Sequence, residues 1–382
     1  MGASLMTPIE RINAAIKLEP YDRVPVAPLI DYYFAVRRKG YTVAQGYADY
    51  KGIAFPAMVD LFDEVGGWDA AVIPTWLPSV NPAHPFNGKE SPTSIPGKGV
   101  PDNAPPQVFE TEVITLEDYD TIIKLGWYGY CEKSRQEVRP GPLEKAVAWA
   151  ERLLVQARKD TQKWYDRQIP VLCGSLVQSP LMILSLGRSL TRFTLDIYRI
   201  PDKVKAVMDA MVDNLIENAI TTSKLMGVPG VDLVLERGGG FYFPLKIFER
   251  FEMPYIKKMV DAFAREGLVT MLHFDQNWTL NLPYFVDLPK KMCICELDGK
   301  TNIFEAKRIL GKHMCIMGDV PAGLLSLGTP QEVERYCKKL IDEIGNDTGF
   351  ILSTGCSLPL DAKFENFKTM IDIGKNYRAP WM

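Results

Sequence analysis

Two short stretches of this chain end in side chains that could do chemistry together. His273 and Asp275 close the apolar run Leu268-Val-Thr-Met-Leu, and Cys356 closes Phe350-Ile-Leu-Ser-Thr-Gly. Residues at i and i+2 on a strand point to the same side, so one imidazole and one carboxylate can reach a single ion if a thiolate arrives from a neighbouring strand. The pattern predicts a three-ligand metal site with an open position. Taken singly, each residue has a plainer use: His273 and Asp275 as a hydrogen-bonded pair, Cys356 as a buried thiol. Three ligand types at two strand ends favour the metal.

Other residues could support such a site. Glu236 ends the apolar run 231–235 and leads into Arg237 and three glycines. It reads as a fourth ligand, as the acid that protonates a leaving oxygen, or as an ion-pair partner. Glu296, at the end of the run that starts at Cys293, and Asp319, after Met317, carry the same alternatives. Asn277 could orient a substrate oxygen, and Tyr32, Phe34 and Trp76 could line an aromatic pocket, although aromatic residues more often pack than recognise. Gly238-Gly-Gly240 lacks the Lys-Ser that opens a helix after a phosphate loop, and reads as a mobile loop. His84, in a proline-rich stretch, and His313, after a helix, are not expected to coordinate. Cys293, Cys295 and Cys315 sit inside apolar runs and read as small core residues.

The elements that would have to position these residues are short apolar runs at 24–30, 70–74, 170–173, 231–235, 269–272, 293–297, 315–317 and 350–352. Several are continuous and not alternating, as in parallel strands covered on both faces. Helical segments fall between the later runs, at 201–226, 244–266, 303–310, 330–344 and 363–373. Thr7-Pro-Ile-Glu10 forms a capping box with proline at the first helical position and opens a helix through Lys17. Thr329-Pro-Gln-Glu332 resembles another start, with its acid read as one place too close for the box. Strand and helix alternating at this spacing predict an α/β fold, a (β/α)8 TIM barrel with an N-terminal helix, in one domain over residues 1–382. A doubly wound open sheet is the rival, and no GxGxxG follows the first run. Residues 77–168 read as an insertion: eight prolines between 77 and 106 exclude regular structure there, and 107–168 look mainly helical. Lying directly after the second strand, the proline-rich part would stand at the barrel mouth as a lid or docking surface, or as a loose surface loop.

Composition narrows the function classes. The 382 residues carry 44 basic and 47 acidic side chains, a net charge of −3, with no long single-sign block, so no footprint for nucleic acid or anionic lipid is present. No apolar run reaches the ~18 residues of a membrane span. Seven cysteines, an odd number without close CxxC pairs, in a chain with no signal segment at its start, predict reduced thiols and a cytoplasmic location.

A set of motifs carries a family likeness. Arg11-Ile-Asn-Ala-Ala-Ile-Lys before Asp22-Arg-Val-Pro-Val, Leu116-Glu-Asp-Tyr-Asp ahead of Gly126-Trp, Leu272-His-Phe-Asp, Ala306-Lys-Arg, Met317-Gly-Asp-Val, Gly328-Thr-Pro-Gln-Glu-Val and Phe350-Ile-Leu-Ser-Thr-Gly-Cys-Ser-Leu-Pro resemble the uroporphyrinogen decarboxylase superfamily, and more specifically its corrinoid-dependent methyltransferase branch. The likeness covers nearly the whole chain and is most specific in the C-terminal half. It implies a TIM barrel with one zinc ion at the top, and methyl transfer to or from the cobalt of a separate corrinoid protein. The branch's usual ligands are His-x-Cys on one strand and a Cys in a Gly-Cys motif on the last. His273 and Cys356 match; Asp275 stands where a cysteine is usual. The Arg-rich porphyrin-gripping motif of the decarboxylase proper is missing, since Arg37-Arg38-Lys39 lies too far past the first run. A corrinoid-binding Asp-x-His-x-x-Gly segment is also missing, so cobalamin must come on a partner.

Replacing one sulfur by a carboxylate makes the ion harder and favours oxygen substrates. The expected activity is therefore an O-demethylase-type transfer, with zinc as Lewis acid on a methoxylated small molecule and Co(I) of the partner corrinoid attacking the methyl carbon. Alternatives are transfer from methylcorrinoid to a thiol or a folate-type acceptor, a non-catalytic barrel that binds ligand or corrinoid, and a metal-free decarboxylase. A homodimer is compatible with all of them.

Overall fold

The computed structural model describes residues 5–47, 52–74, 93–138, 143–346 and 348–380. Its scaffold is a sheet of six parallel strands in sequential order: β4 (Ser175–Gln178), β5 (Gly230–Leu235), β6 (Val269–Phe274), β7 (Cys293–Leu297), β8 (Cys315–Val320) and β9 (Phe350–Thr354). The preceding strands β1 (Thr93–Pro96), β2 (Gly99–Val100) and β3 (Gln107–Val108) form a separate small sheet. Helices connect the six parallel strands, and every residue of β5, β7, β8 and β9 is buried. Strands covered on both faces need no polar alternation, which is why their sequences are continuous apolar runs.

The first two apolar runs complete the ring through a few bonds each. Ala27 N–H donates to Leu352 O at 3.0 Å and Leu352 N–H to Pro25 O at 2.9 Å, joining the first run to β9. Asp69 N–H donates to Val26 O at 2.7 Å. Leu172 N–H donates to Ala71 O at 2.9 Å, and Gly174 N–H to Gly230 O at 2.8 Å, which carries the ring back to β5. The molecule is thus an α/β barrel of the TIM type. The expected strands at 24–30, 70–74 and 170–173 reduce to single bridges at Val26↔Leu352 and Ala71↔Val171, because Pro25, Pro28, Pro74 and Pro170 lack a ladder donor. Side-chain charges compensate for the missing ladder. Asp69 accepts from Arg11 at 2.7 Å, from Arg23 at 2.7 Å and from Val26 N–H at 2.8 Å, clamping the N-terminal helix Pro8–Ile16 onto both runs.

Several expectations change in detail. Residues 93–108 do form short strands despite their prolines, since a two- or four-residue strand asks for few donors and Gly97 and Gly99 supply the positive φ of the turn (76° and 99°). The helix expected at 244–266 is two helices, Leu245–Phe251 and Met253–Arg265, broken at Glu252 where Pro254 follows in the next turn. Thr329 and Glu332 do make a full capping box, because Glu332 is the third helical residue once Thr329 is the cap. Helices at Leu116–Val138 and Leu143–Asp166 fill most of the insertion. Among the described residues no helix is long and apolar enough to cross a membrane.

Candidate metal centre

The register of β6 against β7 places His273 directly beside Glu296, and that of β5 against β6 places Val234 beside His273. These residues share the inner face of the ring with Met317 and Ile351 in their own layer and with Met271, Ile294 and Cys315, which fill the barrel below them. Two residues beyond His273, past the end of β6, Asp275 faces the same way. Cys356 arrives from the loop after β9. Ligand atoms of His273, Asp275 and Cys356 all lie within 4.8 Å of one another. His273 Nε2 stands 3.6 Å from Asp275 Oδ2 and 3.9 Å from Cys356 Sγ.

The loop that brings Cys356 is pinned to the end of the first run. Leu29 N–H donates to Thr354 Oγ1 at 3.1 Å, Leu358 N–H to Leu29 O at 2.9 Å, and Gly355 N–H to Val320 O at 2.8 Å. Ser357 Oγ donates to Asp31 Oδ2 at 2.6 Å. The other ring nitrogen of His273, Nδ1, meets Glu296 Oε2, and Glu296 is fully buried. A carboxylate on one ring nitrogen fixes the tautomer and leaves Nε2 free to coordinate, the arrangement that accompanies metal-ligating histidines.

The three groups also act on one another's charge. Burial opposes a charge on His273, but Glu296, Asp275 and Cys356 outweigh it and hold its pKa well above the ordinary value. Burial would raise the Asp275 carboxyl, yet His273 pulls it below the usual range. Burial pushes the Cys356 thiol up, with His273 opposing. Donors at ~2.0–2.3 Å from a shared tetrahedral ion stand about 3.3–3.6 Å apart, so a spacing of up to 4.8 Å would close by up to about 1 Å on binding zinc. One imidazole, one carboxylate and one thiol suit that ion, and the fit is good.

Not every residue singled out from the sequence joins the centre. Glu236, at the end of β5, is half-buried outside the trio, with its carboxyl raised by burial and by the charge of Asp275. Glu296 does not face the mouth: at zero exposure behind His273 it orients the ring and is closed off from any substrate. Asp319 is buried and accepts from Tyr336 O–H at 2.8 Å; burial pushes its pKa up to about 7. Asn277 is exposed, and its Oδ1 accepts from Thr279 N–H at 2.9 Å in a local turn. Tyr32 is a packing residue, its ring lying where a side chain at Gly46 would have to go. Trp76 and His84 lie outside the described residues. His313 contacts Leu288 O at 2.7 Å, away from the site. All seven cysteines are free, and every one except Cys356 is buried.

The three glycines after Arg237 are not a loose loop. A Cβ at Gly238 would come 2.6 Å from Glu252, and one at Gly239 would come 2.8 Å from Trp278, so absent side chains let this turn pack against its neighbours. Arg237 itself donates to Glu110 Oε1 at 2.6 Å, tying the insertion to the barrel mouth. Asp31, Asp232 and Asp298 were not anticipated. Asp31 and Asp298 share a signal in the sequence, an acidic residue just past the C-terminal end of an apolar run, whereas Asp232 stands near the start of its run.

Fold and site together define an α/β barrel with His273, Asp275 and Cys356 gathered at the C-terminal mouth of its strands. Residues 154–377 match the uroporphyrinogen decarboxylase (URO-D) family model. The chain belongs to the uroporphyrinogen decarboxylase family. It is 25% identical over 387 residues to a methylcobamide:CoM methyltransferase MtbA of Methanosarcina mazei, covering 97% of this chain and 98% of that one. A uroporphyrinogen decarboxylase of Aliivibrio salmonicida is 24% identical over 200 residues, covering 51% and 54%. Among solved structures, a methyltransferase from Methanosarcina mazei superposes with a TM-score of 0.65 at 16% identity, over 97% of this chain and 99% of that one.

Proposed function

We propose that this chain is a corrinoid-dependent methyltransferase that takes a methyl group from a methoxylated small molecule and passes it to the Co(I) corrinoid of a partner protein. The carrying observation is the convergence of His273, Asp275 and Cys356 at the barrel mouth, backed by Glu296. Likeness along the whole chain to methylcobamide:CoM methyltransferases supports the corrinoid half of the reading. Zinc held by His273, Asp275 and Cys356 would supply Lewis acidity, and a carboxylate in place of a second thiolate tilts it towards oxygen.

The chain's own residues have the following tasks. Glu296 keeps the His273 imidazole in one orientation, and the Asp31–Ser357 contact keeps the Cys356 loop in place. Glu236, half-buried beside Asp275, holds the proton for the leaving oxygen. In the transfer the methyl C–O bond breaks with its electron pair left on oxygen, the reduced corrinoid supplies the pair for the new bond to carbon, and the Glu236 proton passes to oxygen. Reprotonation of Glu236 from water completes the cycle.

Metal analysis of the purified protein should give one zinc per chain, and Cys356→Ala should abolish both zinc retention and methyl transfer to Co(I) corrinoid protein. Unchanged transfer in that variant would remove the metal mechanism. The second reading, transfer from a methylated corrinoid to a thiol, is favoured by the activity in the names of the Methanosarcina relatives. Assaying both directions separates the two.

A further inference from the structure

Gln178, Val234, His273 and Glu296 pair side by side across β4 to β7 and form one layer of the ring. Leu176, Asp232, Met271 and Ile294 form the layer below it in the same way. Ser175 sets the direction in which β4 faces. Its hydroxyl donates to Ala219 O at 3.0 Å, on the helix Pro201–Met226 outside the ring, so period-two alternation turns Leu176 and Gln178 inwards.

The interior is open on this side. Among the described residues of the six parallel strands Leu176 alone is exposed, at 45%, whereas Asp232 and Met271 beside it are 5% and 1% exposed. A space that admits water therefore runs down inside the ring along β4 to a level below His273. Its wall is mainly apolar: next to Leu176 and Gln178, Val234 packs with Met182 and Leu186 of the wholly buried helix Pro180–Gly187.

Two polar groups on this inner face lack partners. Asp232 Oδ1 and Gln178 Oε1 are both closed off from solvent and accept no hydrogen bond among the described residues. Buried polar atoms left unpaired are rare because they are costly, and a few of them on an apolar wall are what a small-molecule site presents before it is filled. The two narrow the chemistry of the missing group. A carboxyl oxygen accepts whether or not the group is ionised, so the demand of Asp232 for a donor does not depend on its charge. The Gln178 amide offers an acceptor at one end and donors at the other. A hydroxyl, which donates and accepts, satisfies both, whereas an ether or a carboxylate has nothing to donate to Asp232.

Resting on the methyltransferase reading above, we infer that the space along β4 seats the body of the methyl donor, and that Asp232 and Gln178 bind a hydroxyl on it remote from the methoxy group. β4 stands two strand spacings, about 10 Å, from β6. A hydroxyl across an aromatic ring from the methoxy group reaches the β4 side while the methoxy group stays beside His273. A para-hydroxylated methoxyarene is the substrate class that fits.

The test compares 4-methoxyphenol with 1,4-dimethoxybenzene, which differ only in whether the remote oxygen carries a hydrogen. Calorimetric binding to the zinc-loaded protein should favour the phenol by roughly tenfold or more, since a site built to bond a hydroxyl is left with unpaired groups by the ether. Gln178→Met and Asp232→Leu, each confirmed folded by circular dichroism, should each bring that ratio closer to one. Leu176→Trp, folded by the same criterion, should fill the space and abolish binding of both compounds while zinc content stays at the wild-type level. Equal binding, tighter binding of the ether, binding of neither by the wild-type protein, an unaltered ratio in both polar variants, or undiminished binding by Leu176→Trp overturns the inference. Methyl transfer from each compound to cob(I)alamin is read separately. Transfer from both with equal kcat/KM sinks the hydroxyl subsite and leaves the methyltransferase reading standing, whereas the expected binding preference without any transfer supports the subsite and counts against the reading on which it rests.

Discussion

Glu296 stands directly behind His273, its carboxylate against the imidazole Nδ1, in a position with no solvent exposure. The pairing is a consequence of register, since β6 and β7 bring these two residues side by side. A buried carboxylate is costly unless something charged or polar faces it. Here the imidazole does, and in exchange the ring is turned so that Nε2 points at Asp275 and Cys356.

Glu296→Gln should therefore weaken zinc binding by roughly 10–100-fold, the usual effect of removing the carboxylate behind a ligating histidine. Competition with a chromophoric chelator measures it. An affinity equal to wild type would show that Glu296 does not orient the ring.

Ser357→Ala should loosen the Cys356 loop. The hydroxyl's 2.6 Å bond to Asp31 is lost and a half-buried carboxylate oxygen is left without that donor, a destabilisation of about 1 kcal/mol. In metal-free protein the Cys356 thiol should then react faster with an aromatic disulfide reagent. A reaction rate and melting temperature matching wild type would remove the clasp.

That His273 and Asp275 face the same side was legible in the sequence because i, i+2 spacing on an apolar run fixes which side a residue faces, whatever the tertiary fold. The same spacing was present in Glu296-Leu-Asp298, and twice that spacing in Asp232-Leu-Val-Leu-Glu236, yet their roles were not legible. Whether Glu296 meets substrate or meets His273 depends on how β7 slides against β6, and nothing local sets that. The first two barrel runs were legible as apolar segments but not as bridges, since their prolines withhold donors that Asp69 replaces from a distance in the sequence. The break at Glu252 was hidden because Met253-Pro254 also reads as an ordinary helix start, and the pattern on both sides stays helical.

Asp69→Ala should cost about 3–5 kcal/mol, because it leaves the buried guanidinium of Arg11 and that of Arg23 without their shared partner and frees the Val26 N–H. Urea unfolding followed by tryptophan fluorescence reads it. A loss under about 1 kcal/mol would mean that the two bridged runs are held by packing alone, at the level of an exposed ion pair.

Glu252→Gln should change the pH dependence of stability. The Glu252 carboxyl is fully buried beneath Gly238, among the described residues accepts only from Ser179 Oγ at 2.8 Å, and is pushed by burial from an ordinary value of 4.5 up to about 8. As pH rises through the window between those values, the unfolded chain gives up this proton while the folded chain keeps it, so the unfolded state binds fewer protons and stability falls. Above about pH 8 both states are ionised and the loss stops growing. Glutamine keeps an acceptor for Ser179 and carries no proton to lose, so the variant's stability relative to wild type should climb from about pH 5 to about pH 8 and then level off. Urea midpoints at several pH values across that window check it. A difference that stays constant with pH would mean that Glu252 is ionised in the folded protein.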